Sequence, residues 1–517
     1  MKKAILFFQL STFYFLISTF HFQLSAQVHL SPYDLVNSDL RYLQISGTLS
    51  GLDLNQLPAL SDQLIKTLRR DLSKTSLTGT QRSLLLQVRQ SYTYGDTTET
   101  SGLLNRLIEK VLVNQVMEAQ FYVGGRFDLS TVSDPGKVYP ELRSFAAAIL
   151  PYGISVVNVM AINPYATEDP NYLGKEWRGI SGYTEQAYML WQTKFSRVTL
   201  GRSYMVNGPG RGANLLFSSA ARPMDQIRFE FFNKNFNFQS MAAQLDPING
   251  ADRYLNSHRL TLYLQRWQFS VTEAVLYGGV RQRLEFAYLN PFIFYHGEQM
   301  NGPGLAGNTL GTVELSYTGE RWYAYTEILI DDIQLDNELV GDLEPNELGL
   351  VAGFDLADPL NIEGLYLGLE YTALTNRTYK TTNPIEWHTH RNVPIGYSQG
   401  SDLDCWDLEI KKYLNRWQAI LNVRYLRQGE GEMNVACNSP WMDSTVTMES
   451  GYDEPFPTGV VEKTLDLGLE LRWLPSYQRY GFLRLNYQTI QNVNHTPYDQ
   501  QNLILTLGIH WDFRFRF

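Results

Sequence analysis

Between Tyr288 and Asn308 the chain gathers Tyr288, Phe292, Phe294, Tyr295, His296, Glu298 and Gln299, flat rings interleaved with hydrogen-bonding groups. A sugar ring stacks its C–H face on such aromatics, so this stretch is the first candidate for a polysaccharide-binding patch. Arg211 and Arg222, in a separate stretch, add cations that could meet an acidic sugar. The same residues have a plainer reading. A long ordered loop needs aromatics to pack itself inward over a mouth, and the arginines can be used up in salt bridges within their own loop.

Other chemistries find less support. Gly208-Pro209-Gly210-Arg211-Gly212 lacks the lysine and hydroxyl of a phosphate-binding loop and reads as a turn, as does the second Asn-Gly-Pro-Gly string at Asn301 to Gly304. Asp331, Asp332, Asp336 and Glu338 cluster without the spacing of a calcium-binding loop, and His388 with His390 is a poor metal site without further ligands. No Gly-x-Ser-x-Gly elbow occurs, and histidines number only 8. The expectation is therefore a protein that is not an enzyme, with no catalytic residues, no metal and no cofactor.

The elements that must carry these residues begin after a secretory leader. Lys2 and Lys3 precede an apolar stretch ending near Phe22, and Ser25-Ala26 places cleavage after residue 26. Beyond it no run of about 18 apolar residues exists to form a membrane helix. Acidic residues outnumber basic ones, 53 to 43, which argues against nucleic acid and against a polybasic anchor. Two cysteines, Cys405 and Cys437, cannot frame a chain of 517 residues. One bridge between them is geometrically open, as are two free thiols.

Alternation decides the class. Leu503, Leu505, Leu507, Ile509, Trp511, Phe513, Phe515 and Phe517 occupy one face of the last segment, opposite Asn502, Thr506, His510, Asp512, Arg514 and Arg516. Leu465 to Trp473 and Leu365 to Ala373 repeat the pattern with Glu470, Arg472 and Glu370 on the other face. Segments of this length and two-sidedness are those of transmembrane strands, which must close into a barrel because hydrocarbon offers no partner to an open edge. Counting back gives about 18 antiparallel strands from residue 116 to 517, the first near 116–128 and the eleventh from the end near 257–264. Connections alternate between short and long, with long ones at 205–225, 278–309, 375–403 and 429–462. The expected fold is thus an all-β transmembrane barrel. Its long loops are extracellular, its C-terminus is periplasmic, and both cysteines lie on the extracellular side.

Residues 27–115 follow helix rules instead. Ser31-Pro32 opens a helix that Gly47 ends, and further helices follow Ser61, Thr80 (with Leu84, Leu85 and Val88) and Leu103. Together they form an expected N-terminal α-helical bundle in the periplasm, below the barrel, where it narrows or plugs the pore.

Three passages, in this order, resemble the Wzi-type capsule-assembly family. They are Asp39-Leu40-Arg41-Tyr42-Leu43 leading to Leu54-Asn55-Gln56-Leu57-Pro58; Asn207-Gly208-Pro209-Gly210 through Ser218-Ser219-Ala220-Ala221-Arg222-Pro223-Met224; and Ala287-Tyr288-Leu289-Asn290-Pro291-Phe292 with Phe294-Tyr295-His296. The resemblance implies an outer-membrane, lectin-like protein that binds and assembles capsular or other surface polysaccharide. Its partners would be that glycan, outer-membrane lipid and the barrel assembly machinery. Related proteins of gliding bacteria make a motility or adhesion role the alternative, and a passive porin is the third reading.

Overall fold

A computed structural model of the chain describes residues 35–49, 52–57, 77–92, 120–132, 137–163, 180–301, 307–334 and 338–516, with isolated residues between them. The expected leader, the helix expected at Leu103 and Asp336 lie outside the described residues. Of the helix expected after Ser61, only single residues are described, among them the buried Leu64 and Leu68.

Eighteen antiparallel strands close into one barrel. The first nine are β1 (Gln120–Val132), β2 (Lys137–Leu150), β3 (Ile154–Ile162), β4 (Ile180–Gln192), β5 (Ser196–Ser203), β6 (Met224–Phe232), β7 (Phe236–Ile248), β8 (Ala251–Leu264) and β9 (Trp267–Gly279). The remainder are β10 (Asn308–Thr318), β11 (Trp322–Asp332), β12 (Glu347–Ala357), β13 (Leu365–Leu374), β14 (Leu403–Leu414), β15 (Trp417–Gln428), β16 (Glu462–Ser476), β17 (Arg479–Gln491) and β18 (Gln500–Arg516). Each pairs with its sequence neighbour, and β18 returns to β1 with Val132 opposite Thr506 and Tyr122 opposite Arg516. Closure leaves no edge strand, as hydrocarbon demands.

The side-chain period of two then sorts the wall. Leu503, Leu505, Leu507, Ile509, Trp511 and Phe513 on β18 are 41–63 % exposed, as are Leu469, Leu471 and Trp473 on β16 within that range, a continuous apolar surface that only lipid can cover. The alternate residues face the lumen, where Glu470 bonds Arg472 and Arg484 and where Arg259 forks onto Glu314. Among the described residues no helix is long and apolar enough to cross a membrane.

Short connections such as 233–235, 265–266, 319–321 and 415–416 gather at one end and long ones at the other. One sequence expectation shifts: β8 starts at Ala251 rather than 257 because Asn249 and Gly250, at φ +51° and +76°, make a two-residue hairpin on the long-loop end. The start expected for the first strand, near 116, lies outside the described residues.

Helix α1 (Val36–Ile45) lies inside the short-turn end of the lumen rather than beneath it. Asp39, fully buried, accepts from the Tyr413 and Tyr477 hydroxyls (2.8 and 2.5 Å) and from Gln418 Nε2 (2.9 Å), and stands 3.6 Å from Lys411 Nζ. Tyr42 donates to Asp358 at 2.8 Å, and the Arg41 guanidinium covers the Tyr323 ring at 4.5 Å. Beyond Gly47, whose φ of +74° ends the helix as its lack of a side chain allows, the chain climbs into the lumen. There Asn55 bonds Arg41, Tyr323 and Ser316, and Asp53 accepts from Tyr263. Helix α2 (Gly79–Tyr92) buries the expected Leu84, Leu85 and Val88 against the same core and is tied to the short-turn rim by Thr80 N–H on Glu363 at 2.8 Å.

The Asp39→Ala substitution strips four lumen groups of their shared acceptor, a loss of about 3 kcal/mol for a buried, hydrogen-bonded charge. The expected outcome is a variant that still migrates as a folded barrel in unheated gels but loses residues 35–57 to proteinase K at doses the parent resists. Equal resistance would contradict the anchoring role of Asp39.

Candidate functional site

The long-loop end is built inward from two carboxylates. Alternation on β13 turns Glu370 into the lumen, and there it accepts from the backbone N–H groups of Arg211 (2.7 Å), Gly212 (3.0 Å) and Ala213 (3.0 Å) and from the Tyr325 hydroxyl (2.6 Å). Glu327, on β11, accepts from Leu215 N–H at 3.0 Å. The turn Gly208–Gly212 is thus drawn down into the barrel by its own amides. Glycine is required at 210, since a Cβ there would lie 1.6 Å from the Ala213 carbonyl oxygen. Arg211 does form a salt bridge, but to the wall: its guanidinium meets the Asp407 carboxylate at 2.5 Å and the carbonyls of Gly368 and Asp407 at 3.0 Å. Arg222 is half-buried at the exit of this loop, in the charge environment of Tyr183 and Arg391.

The N-terminal segment meets this loop in mid-lumen. Gln56 and Leu57 pair as a short antiparallel ladder with Asn207 and Val206, and Gly208 N–H donates to the Asn55 carbonyl at 2.9 Å. Leu40, Leu43, Leu54, Leu215, Phe217 and Leu329 belong to one buried apolar cluster.

Loop 375–402 closes over loop 204–223. The fully buried His388 lies 2.7 Å from the Leu216 carbonyl through Nε2 and stacks on Tyr379 at 5.3 Å. Tyr379 in turn donates its N–H to Asp331 (2.6 Å) and its hydroxyl to the Leu215 carbonyl. His390 pairs with Asp246 at 3.0 Å, and Arg253 donates to the carbonyls of Ile385, Trp387 and Thr389. Both histidines are therefore loop anchors. Of the acidic cluster, Asp331 holds Tyr379, and the Glu338 amide, with that of Leu339, is capped by Asp342 further along the same loop.

Above this floor, two polar clefts of about 440 and 370 Å³ open where loop 375–402 meets loop 429–461. The first is lined by Asn376, Arg377, Lys380, Glu430, Glu432 and Asn438, and the second by Ser398, Gln399, Gln428 and Asn434. Arg377 forks onto Glu454 at 2.6 and 2.8 Å and lies 4.6 Å over the buried Trp441 ring, which makes the first cleft rigid. Burial lowers the pKa of Lys380, whose Nζ donates to the Glu432 carbonyl at 3.1 Å. Cys437 borders this cleft and Cys405 faces the lumen with its Sγ 3.4 Å from Arg424 Nε, so the bridge is absent and both thiols are free.

The aromatic stretch goes elsewhere. Glu273 and Tyr277 on β9, Asn256 and His258 on β8 and Thr309 on β10 alternate with lumen residues and so face outward, and loop 280–307 folds back onto them. Tyr295 and His296 donate their N–H groups to Glu273 at 3.0 Å, Asn256 donates to the Tyr288 carbonyl, and Tyr295 lies 4.6 Å from the His258 ring. Tyr288 and Tyr295 are buried against the wall, Phe292 and Phe294 are exposed, Gln299 bonds Thr309, and Glu298 is half-buried. The loop thus neither covers the mouth nor joins Arg211, which sits across the wall. No local pattern in the loop tells outward from inward folding. The signal lay in the strands, which place His258 and Glu273 on the lipid-facing parity. Likewise Arg377, Trp441 and Glu454 carried no signal, whereas the lumen parity of Glu370 and Glu327 did.

Burial holds His388 down at about 4, against about 6.5 for a free imidazole, and lowers His390 as well. Above pH 6.5 the imidazole is neutral docked or undocked, and the full stabilisation is present. As pH falls from 6.5 to 4 only the undocked form binds a proton, so docking weakens, by on the order of 3 kcal/mol in total from His388. Hydrogen-exchange protection of 375–402, corrected for intrinsic rates, should fall across that window and do so less in His388→Asn. An identical fall in both proteins would exclude His388 as the cause.

The comparisons with known proteins agree with this architecture. The family model described as capsule assembly protein Wzi matches residues 73–504. A solved structure titled as Wzi, an outer membrane protein involved in group 1 capsule assembly in Escherichia coli and a carbohydrate-binding β-barrel, aligns with a TM-score of 0.60 at 14 % identity, covering 94 % of this chain and 99 % of that one. Pseudomonas aeruginosa OprD aligns at 0.43 and 7 % identity over 77 % of this chain and 95 % of its own, and Acinetobacter baumannii OccAB3 at 0.44 and 9 % over 77 % and 100 %. No curated protein matches in sequence. The chain is an outer-membrane β-barrel and belongs to the Wzi capsule assembly family.

Proposed function

We propose that this barrel binds surface polysaccharide, capsular in the first instance, on its long-loop face, as a lectin-like and non-enzymatic assembly protein. The observation that carries the reading is the joining of the N-terminal segment and loop 204–223 inside the lumen, sealed from above by loop 375–402. A barrel filled in this way presents a surface rather than a passage, and among the described residues two polar clefts open on its long-loop side. Amide, hydroxyl, ammonium and carboxylate groups on a floor fixed by buried ion pairs suit a hydroxyl-rich chain. The similarity to Escherichia coli Wzi, described as a carbohydrate-binding β-barrel, supports the substrate class.

In this reading the long loops are extracellular, and residues 1–26 are a leader removed on export. Residues 27–115 are a periplasmic segment whose helices enter the barrel from below, and 116–517 form the barrel, inserted by the barrel assembly machinery. The glycan site moves from the Tyr288–Gln299 stretch to the clefts, because the wall separates that stretch from the loop face.

The test is binding of the refolded barrel to surface polysaccharide purified from its own host. Wild type should bind saturably, Gln399→Ala/Asn434→Ala/Asn438→Ala about tenfold more weakly, a loss of roughly 1.4 kcal/mol, and Phe292→Ala/Phe294→Ala unchanged. No saturable binding by a folded barrel, or loss in the phenylalanine variant alone, would refute the assignment. Normal capsule in a deletion strain that has lost gliding or adhesion would transfer the function to surface motility.

A further inference from the structure

The outer wall beneath loop 280–307 breaks the rule that strands keep charge off the lipid face. His258 and Glu273 are cross-strand partners on β8 and β9, 3.1 Å apart, and both face outward. The loop seals them with the helical turns Phe286–Leu289 and Tyr295–Asn301 and with the Tyr288 and Tyr295 rings. It pays its polar groups inward and turns apolar ones outward: Phe286 and Phe292 are each 86 % exposed and Phe294 65 %.

The surface that Phe292 joins can be read from the ladder. Phe238 is paired with Leu260, Leu260 with Val271 and Val271 with Val313, a row whose last three members are 42, 42 and 38 % exposed on the lipid-facing surface. The Phe292 ring stacks on Phe238 with centroids 5.9 Å apart and planes 8° from parallel. Phe292 therefore continues the hydrocarbon-facing row instead of reaching water. The His258–Glu273 row lies immediately toward the long-loop end and is the one the loop covers.

We propose that segment 286–296 is a lipid-seated strap, in which acyl chains of the surrounding membrane cover Phe286, Phe292 and Phe294. Acyl chains are the occupant because Phe292 is continuous with a surface that lipid already covers. The strap gives the barrel a lateral contact with the membrane that is independent of the glycan clefts. It also keeps a charged row out of hydrocarbon, where an ionised side chain on the lipid face is destabilising in a depth-dependent way.

The experiment places the photoreactive residue p-benzoylphenylalanine at position 292 of the full chain in native outer membranes, with Leu260 as the lipid-facing reference and the exposed Met442, in loop 429–461, as the aqueous one. After irradiation, mass spectrometry should find lipid adducts at 292 in a yield close to that at 260, and at background at 442. Adducts at 260 with background at 292, or crosslinks from 292 to protein alone, would overturn the proposal. Labelling at 260 certifies a folded, inserted barrel, so either failure is separate from a failure of polysaccharide binding.

Discussion

Hydrocarbon leaves no backbone N–H or C=O unpaired, and the rest of the structure follows from that constraint. Only the pairing of β18 with β1 removes the last edge, and eighteen strands close around a lumen too wide for wall side chains alone to fill. The lumen is instead filled by chain: α1 and residues 52–57 from one end, loop 204–223 from the other. Chain brought into such a space needs fixed partners: Glu370 accepts three backbone N–H groups of loop 204–223 and Glu327 accepts that of Leu215, while Asp39 accepts from wall side chains. Glu327 and Glu370 take their places from the period of two that also closes the ladder, and Asp39 from helix register.

The barrel was legible in the sequence because a membrane strand must declare both its faces. The eighteen segments marked by alternation are the eighteen observed, from Gln500–Arg516 back to the first. The start of β8 was misplaced because Asn249-Gly250, a hairpin signal, stands where the short-long rhythm called for a long loop. The site was less legible. Loop residues carry no period, so nothing within Tyr288–Gln299 said that it would fold onto the outside of the wall, and nothing joined Arg377 to Glu454 across 77 positions. What could have been read were the exceptions: His258 and Glu273 on the lipid parity, Glu327 and Glu370 on the lumen parity.

The passages that carry the family resemblance have a physical account. Asp39–Leu43 and Leu54–Leu57 form the lower plug, Asn207–Met224 the upper one, and they meet through Gln56 and Asn207. Such a junction constrains both partners at once, while the wall needs only apolar residues on one side. That fits a chain that keeps the fold of the Escherichia coli Wzi structure at 14 % identity. The third passage, around Tyr288–His296, is constrained by the charged row it covers.

Chain packed into the lumen from both ends, as α1, residues 52–57 and loop 204–223 are, should leave no path for a porin-sized current. Planar-bilayer recording of the refolded full chain is the measurement that decides this. The expected result is insertion, verified by protease protection, without stable porin-sized conductance steps. Stable, large steps from the intact chain would make the barrel an open pore.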